Sequence, residues 1–298
     1  MVDARRVRVI IVNWNGGDFI GAAIDSVRRQ TLPAELIVVD NASTDGSPER
    51  LEPMEHVTLV RNGTNSGFGA GANVGARGAA SDFLAFLNPD AEAAPHWLER
   101  LTEWMTKEGI ELAGSYIGAG SRYYFTRGEW IGWRGAALND TRIDSSSADW
   151  INGCAMVISR AAFERLGGFD ERFFLYCEDA DLSFRARIQG LRIGVLRERL
   201  VEHESHGRST GTLGDQKAKI AFESRGRLIG KHSPLMALPI AVVTQAFVVP
   251  LVHYRSLRST NIAAKAFMRG LVPAIRERVT QHSPYRSGQN GRPQHESP

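Results

Sequence analysis

Short runs of apolar, β-branched residues recur through the first half of the chain, and each ends in a cluster of turn formers. Val7 to Asn13 reads V-R-V-I-I-V-N, Glu35 to Asp40 reads E-L-I-V-V-D, Val57 to Val60 is shorter, and Phe83 to Leu87 reads F-L-A-F-L. Runs this short and this apolar predict strands buried on both faces. Between the first two, Phe19, Ala22, Ala23, Ser26 and Val27 share one face of a helix that Asp18 is placed to cap. From Asn65 the chain reads N-S-G-F-G-A-G-A-N-V-G-A-R-G-A-A, with side chains small enough for a helix to press against a sheet. A helix from about His96 to Thr106 and a fifth strand near Leu112 continue the alternation. Strands alternating with helices predict an α/β fold built on a doubly wound, mostly parallel sheet.

The pattern changes after Leu112. Residues 116–149 mix Ser121, Arg122, Tyr123, Tyr124, Trp130 and Trp133 with glycines and show no period, which predicts a functional loop or lid. Trp150 to Ser159 reads as a strand, with Gly153 where something must approach its backbone closely. Arg160 to Leu166 is a short helix stopped by Gly167-Gly168. Phe169 to Gly190 begins aromatic, passes through Glu178, Asp179 and Asp181, and continues at helical spacing through Leu182, Arg185, Ala186 and Gln189 to a glycine stop. A strand follows from Ile193 to Leu196. Pro234 to Val252 carries no charge over nineteen residues, near the minimum for a bilayer span, but Pro239, Gln245 and Pro250 argue against a simple one. Interfacial or re-entrant insertion ranks first for it, a helix packed on the preceding domain second and a true span third. The last twenty residues have the composition of a disordered tail. The expected organisation is a domain over 1–212, divided near 115 into parts 1–115 and 116–212, a helical, basic extension over 213–279 and a tail over 280–298.

Composition refines this picture in three ways. A hydrophobic fraction of 43% with 23% charged residues is that of a soluble globular protein with a substantial core. The net charge of +3 conceals an asymmetry: residues 1–204 carry 22 Lys and Arg against 29 Asp and Glu, whereas 205–298 carry 14 against 4. A basic C-terminal part on an acidic body calls for an anionic partner there. No basic-aromatic platform or nucleic-acid motif accompanies it, so an anionic membrane surface is expected and nucleic acid is not. The two cysteines, Cys154 and Cys177, lack C-x-x-C spacing and indicate neither a disulfide framework nor a zinc site, as in a reducing cytosol. The N-terminus enters V-I-I-V without the features of a signal peptide.

The candidate chemistry lies where the runs end. Asn88-Pro89 stops the Phe83 strand and puts the Asp90 carboxylate just past it. In an open α/β sheet that edge is where ligands bind, and a hard oxygen there suits Mg²⁺ or Mn²⁺ bridging to phosphate, although Asn-Pro-Asp is also ordinary turn chemistry. Asp40 ends its own strand, so two carboxylates look into one crevice. A dinucleotide site is excluded because the first turn is N-W-N-G-G, and the glycine-rich stretch follows the third strand instead. Glu178 and Asp179 fit either favourable capping of a helix N-terminus or a general base. His203 and His206 both lie in V-E-H-E-S-H-G-R-S, and a neutral imidazole near Asp90 would complete a metal site.

Four stretches, V-I-I-V-N-W-N-G, L-I-V-V-D-N-A-S-T-D-G-S, F-L-N-P-D and G-G-F-D-E-R-F-F-L-Y-C-E-D-A-D-L-S-F-R-A-R-I-Q-G, together resemble the inverting glycosyltransferases of family 2 with the GT-A fold. The resemblance spans about residues 7 to 210 and is nearest to rhamnosyltransferases and related enzymes that extend lipid-linked cell-wall or O-antigen glycans. It implies that Asp40, with Asn41 and the loop from Asn13 to Asn15, holds the nucleotide base, and that Asn65, Gly67 and Asn73 lie beside the nucleotide. The family's D-x-D metal motif corresponds to Asn88-Pro89-Asp90, a departure because the first carboxylate is here an amide. It further implies that Asp179, paired with Glu178, is the catalytic base, and that His203 or His206, with His203 preferred, helps bind metal or diphosphate. The implied donor is dTDP-rhamnose with Mg²⁺ or Mn²⁺, and the implied acceptor is a glycan or polyprenyl-diphosphate-linked glycan at the cytoplasmic face of the cell membrane. The alternatives are another donor sugar, galactofuranose or a hexosamine, or a catalytically silent nucleotide-sugar-binding module. Retention of Asp40, Asp90, Glu178 and Asp179 together speaks against the silent module.

Overall fold

The computed structural model describes residues 5–52, 54–119, 122–124, 150–203, 214–233, 238–243 and 257–281. Residues 125–149 of the expected lid, His206, the apolar run outside 238–243 and the tail from 282 onward lie outside them.

Four parallel strands build the first half of a nine-stranded sheet, in the order β3 (Val57–Arg61), β2 (Ala34–Asp40), β1 (Val7–Asn13), β4 (Phe83–Leu87). Every residue of β1 is buried, and its alternate side chains serve two cores. Val9 and Ile11 join Ile20, Ile24, Leu87, Trp97 and Leu101 on one face, under α1 (Phe19–Arg28) and α4 (Trp97–Glu108). Ile10 and Val12 join Ala72, Phe86, Phe163 and Phe169 on the other, under α3 (Phe68–Ala76) and α5 (Arg160–Leu166). The small residues of α3 have the expected purpose: a Cβ on Gly75 would stand 2.6 Å from Ile10 Cγ2, and one on Gly71 2.8 Å from Val12 Cγ1.

The second half of the sheet is mixed. β8 (Ala155–Ser159) runs antiparallel to β4, and β6 (Leu112–Ala119) runs antiparallel to β8 but parallel to β9 (Ile193–His203). β5 (Ala91–Ala93) closes the far edge antiparallel to β9, and β7 (Arg122–Tyr124) pairs with β6. A strand buried on both faces reads the same in either direction, so the apolar runs alone did not disclose the reversal. β9 continues seven residues beyond Leu196, where the consecutive charges Arg197, Glu198 and Arg199 interrupt the apolar run that marked the strand in the sequence. The one-turn helix α2 (Ser47–Leu51) and β5 are too short to show a period. Asp18 stands at the N-cap of α1 but makes no side-chain cap hydrogen bond, and its exposed carboxylate lies 3.9 Å from Arg50 instead.

α6 (Glu178–Ile188) lies on the sheet face that carries α5, and α7 (Gly214–His232) packs on α6. α9 (Leu257–Gln281) lies along α7, with Phe222 and Ile229 buried against Ala263, Phe267 and Leu271. In α8 (Leu238–Val243), Leu238 and Val242 pack on this pair while Ile240 and Val243 face outward. Among the described residues, no helix is long and apolar enough to cross a membrane.

Candidate active site

The parallel register of β1 with β2 sets Asn13 opposite Asp40 at the C-terminal edge of the sheet. Both are buried, at 0% and 3% exposure, and Asn13 Nδ2 donates to Asp40 Oδ1 at 2.8 Å. The Asp40 carboxylate also accepts from the Ser43 hydroxyl at 2.6 Å and the Ser43 amide at 3.1 Å, while Asn13 Nδ2 reaches the Ser47 hydroxyl at 2.9 Å. Asn13 Oδ1 is buried without a partner among the described residues, which leaves an acceptor open for a ligand donor. Ser43 and Ser47 passed unremarked in the sequence as members of a turn-rich loop. Asn15 (φ 52°) and Ala42 (φ 59°) both adopt the left-handed region, which non-glycine residues occupy at a cost and which gathers at functional sites.

Asn41 bridges this crevice to the glycine-rich loop, its Nδ2 donating to the Gly67 carbonyl at 2.9 Å and its Oδ1 accepting from Asn62 Nδ2 at 2.7 Å. Asn65 Oδ1 accepts from the Gly67 amide at 3.0 Å. Gly67 has φ 88°, and a Cβ there would collide with the Phe174 carbonyl, so only glycine fits where the loop meets the segment before α6. Asn73 is placed differently: its side chain accepts from the Phe169 amide and donates to the Phe169 carbonyl, both at 2.9 Å. The structure thus spends Asn73 on anchoring α3 to the 169–177 segment.

Asp90 and His203 meet at the mouth of the antiparallel half. Ala91 pairs with His203 across β5 and β9, and His203 Nε2 lies 3.1 Å from Asp90 Oδ1, each side chain about one-seventh exposed. Burial pulls the imidazole pKa down, but hydrogen bonds to Asp90 and to the Cys154 thiol outweigh it and raise it. Burial pushes the Cys154 thiol up. Asn88 donates its backbone amide to the Cys154 carbonyl at 2.8 Å. Among the described residues no group of three His, Cys, Asp or Glu side chains is arranged to hold a metal ion. Asp90 supplies the hard oxygen that Mg²⁺ or Mn²⁺ takes, the remaining oxygens coming from substrate phosphates and water. His203, whose raised pKa favours the protonated ring rather than the neutral imidazole expected from the sequence, would ligate only on losing that proton.

The residue before Cys154 holds the third element. Gly153 donates its amide to Asp179 Oδ2 at 2.9 Å, and a Cβ on Gly153 would stand 3.2 Å from Asp179 Cβ, so the close approach expected at that glycine is made by the carboxylate. Asp179 Oδ1 accepts from the Ala180 amide at 2.8 Å. Burial raises the Asp179 pKa to about 6 against the pull of these backbone bonds. Burial and the Asp179 charge raise Glu178 well above its ordinary value, and its Oε2 is buried without a partner among the described residues. Consecutive residues Gly153 and Cys154 therefore tie Asp179 to the Asp90–His203 pair. Asp181, the other acidic residue of the first turn, points away to Arg185, Lys231 and His232.

Residues 8–167 match the family model described as glycosyl transferase family 2. The chain is 26% identical over 242 residues to an N-acetylglucosaminyl-diphospho-decaprenol L-rhamnosyltransferase of Mycobacterium tuberculosis, covering 68% of this chain and 77% of that protein. It is 24% identical over 209 residues to rhamnosyltransferase WbbL of Escherichia coli K12, covering 63% and 79%. Among solved structures, mannosyltransferase PcManGT from Pyrobaculum calidifontis, in complex with GDP-Man and Mn²⁺, aligns with a TM-score of 0.60 at 22% identity over 96% of this chain and 83% of that one. Residues 1–349 of S. aureus TarS, in complex with UDP, align at 0.51 and 16% identity over 94% and 93%. The structural likenesses establish the fold, a GT-A sheet flanked by helices.

Proposed function

Because the chain belongs to glycosyl transferase family 2 and is a glycosyltransferase using a nucleotide-sugar donor, we propose that it moves L-rhamnose from dTDP-rhamnose to a hydroxyl of a lipid-diphosphate-linked glycan, with inversion. The observation that carries the mechanism is Asp179, a carboxylate fixed by two backbone amides at the start of α6 and poised near pKa 6 by burial. It takes the acceptor hydroxyl's proton as the new C–O bond forms at the anomeric carbon and the bond to the diphosphate breaks on the opposite face. Asp40 and the open Asn13 Oδ1 supply acceptors for the imide N–H of the base. Asp90 and His203 would hold Mg²⁺ or Mn²⁺, which when bound supplies counter-charge to the departing diphosphate. The rhamnosyl assignment draws on the two relatives above, and the lipid-diphosphate acceptor on the mycobacterial one.

Measuring nucleoside diphosphate release from a panel of sugar nucleotides with Mg²⁺ tests this reading. dTDP-rhamnose is expected to turn over fastest. Faster turnover of UDP-galactofuranose or a UDP-hexosamine would reassign the donor, and no release from any donor would favour a silent binding module.

The outward face of α9 supports peripheral attachment to an anionic membrane. Lys265, Met268, Arg269, Val272, Arg276 and Val279 recur at helical spacing, all exposed and without an acidic residue among them. Glu277 is turned to Arg172 and Arg227 instead. Basic and apolar side chains on one face suit a helix lying in a headgroup layer. Since α9 also covers the buried side of α7, substitution of surface charge is a cleaner test than truncation. Lys265→Gln, Arg269→Gln and Arg276→Gln together are expected to weaken flotation with anionic vesicles on the order of 100-fold, at about 1 kcal/mol per cation. Undiminished flotation of the triple variant would sink the electrostatic role.

A further inference from the structure

The turn that carries Asp179 is held from outside the sheet by α7. Asp181 is fully buried and meets Arg185 Nε at 2.7 Å, Lys231 Nζ at 2.6 Å and His232 Nε2 at 2.7 Å. Arg185 belongs to the same helix, but Lys231 and His232 are the last two residues of α7. Two turns earlier on α7, Ser224 Oγ donates to the Leu175 carbonyl at 2.7 Å. Between these contacts, Leu228 is buried with Phe173, Ala180 and Phe184, and Lys231 also reaches Asp170 at 2.8 Å. One face of α7 thus grips the chain on both sides of Asp179.

What it grips is strained. Tyr176 (φ 70°) and Cys177 (φ 67°) are consecutive non-glycine residues in the left-handed region, directly before Glu178. Such a conformation persists only where the surroundings over-determine it. The Ser224 bond fixes the residue before the strained pair, and the His232 bond fixes the helix turn after it. A buried ion cluster is weak support for stability and better suited to fixing one conformation among several.

We propose that α7 is a positioning element of the transferase, with Ser224 and His232 as positioning residues that hold the Tyr176–Cys177 turn and so aim the Asp179 carboxylate at the acceptor hydroxyl. This rests on Asp179 as the base. Neither residue touches the donor crevice around Asn13 and Asp40, so their loss registers in the chemical step and not in donor affinity. Misplacing a catalytic group by about 1 Å costs on the order of 100-fold in rate.

The test compares kcat and donor KM of the full chain, measured well below the melting temperature of each variant. His232→Ala and Ser224→Ala are expected to lower kcat roughly 10- to 100-fold while donor KM stays within about twofold. His232→Gln, whose amide still donates to Asp181, is expected to recover most of the loss. In an Asp179→Asn background His232→Ala should have no further effect, because there is no base left to aim. A lowered melting temperature with unchanged kcat in His232→Ala and Ser224→Ala would reduce α7 to a structural prop and overturn the proposal. So would a full additional loss in the Asp179→Asn background. If His232→Ala does not fold, Ser224→Ala, which removes a single hydrogen bond, decides alone. Failure of the underlying reading is separate: it appears as near-normal turnover in Asp179→Asn by itself.

Discussion

Asp179→Asn is expected to lower turnover by about 10²- to 10⁴-fold while the nucleotide-sugar donor binds nearly as before. The substitution keeps size and shape but removes the lone pair that accepts the acceptor's proton. The proposed donor crevice of Asn13, Asp40 and Asn41 lies elsewhere and its hydrogen bonds are left in place. Calorimetric titration with donor and steady-state turnover should therefore separate. The wild-type pH profile carries a second signature. The base works only when ionised, and burial lifts Asp179 to about 6. Below that pH the ionised fraction, and turnover with it, should fall tenfold per unit; above it turnover should level off. Burial and its neighbour's charge both favour the protonated form of Glu178, which supports Asp179 over it as the proposed base. Near-normal turnover in Asp179→Asn would put the base elsewhere.

Asp90→Ala is expected to abolish activity together with its dependence on a divalent ion. A bound cation is worth several kcal/mol of charge stabilisation on a leaving phosphate, so the loss is on the order of 1,000-fold. Asn88 leaves Asp90 as the one carboxylate of the F-L-N-P-D segment, with His203 beside it at 3.1 Å. Calorimetry of Mn²⁺ binding in the presence of dTDP gives a readout apart from turnover: wild type should bind, and Asp90→Ala should bind at least tenfold more weakly. Full wild-type activity in excess chelator would remove the metal from the reaction and leave His203 as the group that neutralises the diphosphate.

The sequence by itself determined the parallel core and the position of its acids. A strand buried on both faces must be a continuous apolar run, and β1, β2 and β4 are such runs. A helix that presses Gly71 and Gly75 against Val12 and Ile10 must be made of small residues, and α3 is. Asp40 ends β2, Asp90 follows β4 and Asp179 opens α6, so each was marked by the local boundary it occupies. Tertiary structure alone decided which residues meet across long separations. Strand direction in the second half of the sheet depends on the path of the chain, not on side-chain period. His203 meets Asp90 because β9 runs on past Leu196 to pair with β5, a strand too short to leave a pattern. Asn73, placed beside the nucleotide by resemblance, has its side-chain amide bound to the backbone of Phe169, ninety-six residues away. Asp181 reads locally as one more acidic residue in a helix's first turn, yet it is buried against Lys231 and His232 of α7, fifty and fifty-one residues away. Local patterns report burial, turns and caps because those are set by neighbours in sequence; partners such as these are chosen by packing, which no short window contains.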